Sequence, residues 1–157
     1  MTVVIPQMER LIGVLDGQWR CHVTYEPNPH SPDGGTSDGW EECRVGPGRS
    51  SVVFDTQAQG HLGTFEGHGV ITWNATDDVY DLYWLSSSSP EPGVFTGRWD
   101  GGKVVFDGYE YIAGQRMASR HSITEISADA FVYTIDLGSA PADLTLSVTI
   151  DYMRRGR

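Results

Sequence analysis

The sequence predicts an all-β protein: an antiparallel meander of about ten strands closed into a barrel, with a short N-terminal helix ahead of the first strand. Three observations predict it. The 157 residues carry 19 glycines and 8 prolines, a turn-rich composition. After residue 17, apolar and polar residues alternate with period two over most of the chain. The breaks between alternating segments are tight turns, too short for the crossovers of a dozen or more residues that parallel strands require. An open sheet of this size would expose two unpaired edges, and closure removes both. One domain, 1–157, accommodates the whole pattern, because a chain of this length buries roughly two-thirds of the surface exposed when unfolded.

The elements follow in order. Pro6 suits a first helical turn, and Met8, Leu11, Ile12 and Leu15 recur at the spacing of one apolar stripe. Gly17 ends that helix. The stripe needs a partner, most simply the open end of whatever the strands build. Trp19, Cys21, Val23 and Tyr25 then alternate with Arg20, His22 and Thr24, the mark of a half-buried strand. Residues 27–36 are too rich in proline and glycine for a helix and read as a loop. Further strands are predicted at 38–45, 50–57, 63–73, 79–86, 93–99, 103–111, 116–126, 130–137 and 143–153. Turns such as Pro47-Gly48, Asp100-Gly101-Gly102 and Ala140-Pro141 separate them, and Ser86 to Ser89 reads as a loop at a barrel rim.

Bulk properties exclude several functions. A net charge of -10 disfavours nucleic acid, whose phosphates need a basic face. The basic residues Arg154, Arg155 and Arg157 read as a solvated chain end. Two cysteines, Cys21 and Cys43, supply neither a thiolate zinc site nor a disulfide framework. They fit a reduced, cytoplasmic protein, with a bridge across neighbouring strands left open for an exported one. No segment approaches the roughly 18 apolar residues of a membrane span, and the first 19 residues lack the pattern of a secretory signal.

Leu15-Asp16-Gly17-Gln18-Trp19 resembles the opening of the lipocalin and fatty-acid-binding superfamily, where Gly-x-Trp follows a short helix. The resemblance extends through Phe65-Glu66-Gly67-His68-Gly69-Val70-Ile71-Thr72-Trp73-Asn74, Tyr80 to Trp84, and Gly97-Arg98-Trp99 to Val105-Phe106. That ordered series resembles the lipocalin-like domains of the DUF1579 family. The resemblance implies a calycin-like barrel with an internal pocket and no assigned reaction. Heme-binding nitrobindins also open with Gly-x-Trp and continue with further glycines, whereas Trp19 here is followed by Arg20, Cys21 and His22. In physical terms, Trp19 can plug the narrow end of a barrel, and Gly67 and Gly69 permit a sharp bend or leave room for a ligand.

Candidate ligand-binding residues are Arg120, Trp84, Tyr80, Trp40, Glu66, His68 and His121. Trp84 and Tyr80 share a strand face with Leu82 and are the preferred wall residues. Trp40 belongs to a wider aromatic set with Trp73, Trp99, Tyr109 and Tyr111. Strict alternation turns Glu66 and His68 outward, away from the face of Phe65, Ile71 and Trp73. A bulge at a neighbouring glycine would reverse that phase. Glu42, Arg44 and Asp136 are further charges carried on strands, where facing water is the ordinary case. In the resembling family an arginine stands at the place of Arg120, where it would grip a carboxylate through its forked donors.

Five histidines show no HxH or HExxH spacing, and no Gly-x-Ser-x-Gly elbow occurs. The expectation is a binding module rather than an enzyme, holding a small apolar or amphipathic molecule, with a carboxylate met by Arg120. No cofactor or metal is expected. Two rivals stay open: a small enzyme using Glu66, His68 or His121 as acid or base, and a heme-binding barrel. A homodimer, meeting through the helix stripe or an exposed strand, is a third reading.

Overall fold

The computed structural model describes residues 3–29 and 31–156, so His30 and Arg157 lie outside the described residues. Helix α1 spans Pro6–Leu15. The strands are β1 (Gly17–Tyr25), β2 (Gly35–Val45), β3 (Ser51–Gly60), β4 (Gly63–Asn74), β5 (Val79–Ser86), β6 (Ser89–Asp100), β7 (Lys103–Ile112), β8 (Gln115–Thr124), β9 (Ala130–Gly138) and β10 (Thr145–Arg154). Each strand pairs antiparallel with its sequence neighbours, and β1 pairs with β10 to close the barrel. The last strand begins two residues later than expected because Pro141–Asp143 forms a 3-10 turn.

The helix stripe of Met8, Leu11, Ile12 and Leu15 is buried over one end of the barrel. The turns after β2, β4, β6 and β8 surround that end, and Arg49 of the first of them grips Glu9 through two hydrogen bonds of 2.6 and 2.7 Å. Trp19 is fully buried beneath the helix, donates from Nε1 to the Leu15 carbonyl at 2.8 Å and meets Phe131 edge-on. Burying such an indole removes enough apolar area to stabilise the fold by a few kcal/mol. Arg154 is no solvated chain end. Its side chain is 17% exposed, stacks over Trp19 and donates to the Asp16 and Ala128 carbonyls, so it ties the last strand to the helix exit.

The mid-strand glycines make room for aromatic rings of the core. A Cβ at Gly69 would fall within the ring of Phe54, one at Gly67 against Trp84, and one at Gly97 within Phe106. Large rings therefore interlock across a barrel whose wall is locally bare. No bulge accompanies them on one side: β3 and β4 keep unbroken register from Ser51 opposite Thr72 to Gly60 opposite Gly63.

Candidate functional site

Unbroken register decides which candidates reach the interior. In β4 the inward positions are Phe65, Gly67, Gly69, Ile71 and Trp73, so Glu66 and His68 face outward. His68 Nδ1 meets Asp55 at 2.6 Å on the outer wall. Trp40 lies on the outer phase of β2 and is 40% exposed. Arg120 is also outside, spending Nε on Asp107 at 2.7 Å. These four ligand-binding candidates stand on the outer wall, for one reason: period two carries them outward, as strict alternation gives for Glu66 and His68, and nothing shifts the phase. A carboxylate grip by Arg120 inside the barrel goes with them. Glu42 and Arg44 are likewise external, with Arg44 paired to Asp55 at 2.8 Å, and Tyr109 and Tyr111 lie on the outer phase of β7.

Tyr80, Trp84 and His121 face inward, in three different settings. Tyr80 is 1% exposed and sits under the helix, where its hydroxyl donates to the Gln7 carbonyl and accepts from Trp99 Nε1. That makes it part of the plug. Trp84 is half-buried at the far end and lies between Phe54 and Phe65, stacked on both, with ring centroids 5.7 and 6.1 Å away. His121 is buried in mid-barrel within a polar network that the sequence reading did not assemble.

The network is built on inward positions of neighbouring strands. Glu110 occupies the inward phase of β7 that also carries Val104 and Phe106. Its Oε2 accepts from Ser119 Oγ at 2.8 Å and lies 2.7 Å from His121 Nε2. His121 Nδ1 lies 2.6 Å from the Tyr133 hydroxyl. Nε2–H donates to Glu110 in either protonation state of the ring, and Nδ1 accepts from the Tyr133 hydroxyl when the imidazole is neutral. Burial pushes the Glu110 carboxyl upward, but hydrogen bonding and the field of His121, with the Ser119 bond, outweigh it and hold the group below its ordinary value.

A second carboxyl, Glu41, enters from β2 beside Trp19. It accepts from Tyr152 at 2.9 Å and from Cys43 Sγ at 3.3 Å. Burial dominates there and raises its pKa to about 7, against the partial relief of those two bonds. Burial, followed by the fields of both carboxyls, also pushes the Tyr133 phenol upward. Tyr133 and Tyr152 approach with ring centroids 6.3 Å apart, so the two carboxyl sites adjoin.

Cys21 and Cys43 are free and do not face each other. Cys21 stands opposite Gly39 and Tyr152, and Cys43 opposite Gly17 and Phe54, which corrects the cross-strand bridge. Burial pushes both thiols upward, the opposite of what a nucleophilic cysteine needs. Among the described residues no cluster of three or more His, Cys, Asp or Glu could hold a metal ion. No described helix is long and apolar enough to cross a membrane.

The missed residues carried a readable signal. Glu41 and Glu110 are charges in the apolar phase of their strands, whereas attention to charge as such selects Glu42, Glu66 and Arg120 in the solvent phase.

Fold and interior together define a closed ten-stranded antiparallel barrel capped by a short N-terminal helix. Similar solved structures include Rv2717c from M. tuberculosis, with a TM-score of 0.67 and 12% identity over 98% of this chain and 100% of that one. The S-type phycobiliprotein lyase CPES from Guillardia theta gives 0.62 and 13% over 95% and 93%. The protein EF1p2_mFAP2b, bound to DFHBI, gives 0.53 and 18% over 94% and 99%. At these identities the likeness is one of fold. No protein-family model and no curated protein sequence matches the chain.

Proposed function

We propose that this protein is a small-molecule-binding barrel that takes a flat, apolar or amphipathic ligand into the half of its interior remote from α1. One observation carries the reading. At that end the inward-facing Thr56, Phe65, Trp84, Glu110 and Ile135 each keep part of their surface exposed, whereas Trp19, Tyr80, Phe95 and Phe106 below them are at most 1% exposed. An aromatic wall with a few convergent polar groups is the usual character of a ligand pocket. The names of two similar barrels, a phycobiliprotein lyase and a protein bound to DFHBI, support the reading. We also read the chain as a lipocalin-like domain of the DUF1579 type, on the Gly17-x-Trp19 start and the ordered aromatic and glycine series.

The heme and Glu/His enzyme alternatives have less support. Both ring nitrogens of His121 are engaged, and of Glu66, His68 and His121 only the last faces inward. Native mass spectrometry of freshly purified protein, joined to ligand-observed NMR against a panel of flat aromatic fragments, tests the proposal. A co-purified small molecule, or fragment binding that Trp84→Ala weakens about tenfold, is expected from the loss of an aromatic wall residue and of the stack it holds between Phe54 and Phe65. An unliganded mass together with no fragment binding would overturn it.

A further inference from the structure

The interior offers a prospective ligand an accessible carboxylate acceptor whose hydroxyl neighbours are spent. Glu110 Oε2 is occupied by Ser119 and His121, while Oε1 makes no hydrogen bond among the described residues. The carboxylate side chain nevertheless keeps 14% of its surface exposed, against 5% for His121. No buried side-chain polar atom lacks a partner among the described residues, so the unbonded Oε1 is an accessible atom. The neighbouring hydroxyls are already engaged: Ser119 on Glu110, Tyr133 on His121, and Tyr152 on Glu41. The guanidinium that shares this phase of β10, Arg154, is engaged at the helix end.

The surroundings suit a flat ring. Trp84 stands opposite Gly93, and carrying the β6–β7 register on by one residue from Val94–Tyr109 sets Gly93 beside Glu110. Glycine thus leaves no side chain between the indole and the carboxylate. A Cβ at Gly93 would meet the Phe95 ring at 2.9 Å and the Cβ of Trp84 at 3.6 Å, so Phe95 borders this glycine and the indole does not cover it.

Resting on the binding reading above, we propose that the ligand is an aromatic molecule whose head group donates hydrogen bonds to Glu110 Oε1, with a cationic amine or amidine preferred over a neutral amide and an anion disfavoured. An anion would be repelled by the Glu110 carboxylate. A planar N–H pair would complete the acceptor.

Three probes of one shape test the proposal: 2-naphthamidine, 2-naphthamide and 2-naphthoate, titrated into the intact protein and followed by tryptophan fluorescence and calorimetry. Affinity is expected to fall in that order, the amidine binding about tenfold or more tighter than the naphthoate, as charge-assisted bonds allow. Glu110→Gln should erase the amidine's advantage over the amide. Equal or tighter binding of naphthoate overturns the head-group assignment and leaves the cavity standing. An amidine preference that survives in Glu110→Gln also overturns it, tracing the preference to the acidic surface. Failure of all three to bind overturns the cavity reading and this inference together. The ranking in the unmodified protein decides the matter even where the variant does not fold.

Discussion

Glu41 and Glu110 both enter the barrel from inward strand positions, and burial pushes both carboxyls upward, yet they settle on opposite sides of the ordinary carboxylate range. Glu41 has a phenol and a thiol for partners, deep beside Trp19. Glu110 has an imidazole N–H and a serine hydroxyl on one oxygen, with the other toward the accessible half. Depth alone does not decide ionisation. Each has two donors, and their strength, with the field of His121 beside Glu110, decides, because hydrogen bonds to the charged form offset its lost hydration. The result is one end of the interior kept nearly neutral and sealed, and another that retains a negative acceptor.

The largest test of this division is at the sealed end. Trp19→Ala removes an indole that touches Phe131, Tyr152 and Arg154, and should lower stability by about 3–5 kcal/mol in urea unfolding. A loss below about 1 kcal/mol would show that the plug is not where the barrel's stability lies.

The pH dependence comes next. Because the folded pKa of Glu41 is raised to about 7, the native state binds more protons than the unfolded chain between the ordinary carboxylate pKa and that value. Stability from this group therefore rises as pH falls from about 7 towards 4.5, and its penalty is complete above 7. The span corresponds to about 3 kcal/mol. Glu41→Gln should flatten that part of the profile, and an unchanged slope would refute the neutral assignment. Glu110, held below its ordinary value, acts oppositely: its contribution is present above about 4.5 and is lost at more acid pH as the folded group protonates.

The smallest effect is expected on the outer wall. Arg120 and Asp107 are 46% and 54% exposed, so Arg120→Ala should change stability by less than about 1 kcal/mol. It should also leave ligand binding intact. A large loss of ligand affinity in this variant would return Arg120 to the binding site and break the division between wall and interior.

Much of the architecture was legible because it rests on local pattern. Pro6, the Met8-Leu11-Ile12-Leu15 stripe and Gly17 marked the helix and its end; period two and short turns marked ten antiparallel strands. The site was legible only in part. His121 stood out as a histidine on a strand, and Trp84 as an aromatic on an apolar face, but Glu41 and Glu110 were passed over for charges that face water. Gly67 and Gly69, read as room for a bend or a ligand, instead receive Trp84 and Phe54.

The sequence by itself determined the helix, the strands and their antiparallel order, and which residues share a strand face but not which face is interior, because periodicity and turn chemistry are properties of neighbouring residues. Only the tertiary structure decided which inward residues meet. Glu110, His121 and Tyr133 come from three strands, and Glu41 and Tyr152 are 111 residues apart; their contact depends on barrel closure and register, which no local pattern records. Closure brought Glu41 of β2 to Tyr152 of β10 and set that pair beside the Glu110 network, and it sealed Tyr80 under the helix while leaving Trp84 at the accessible end.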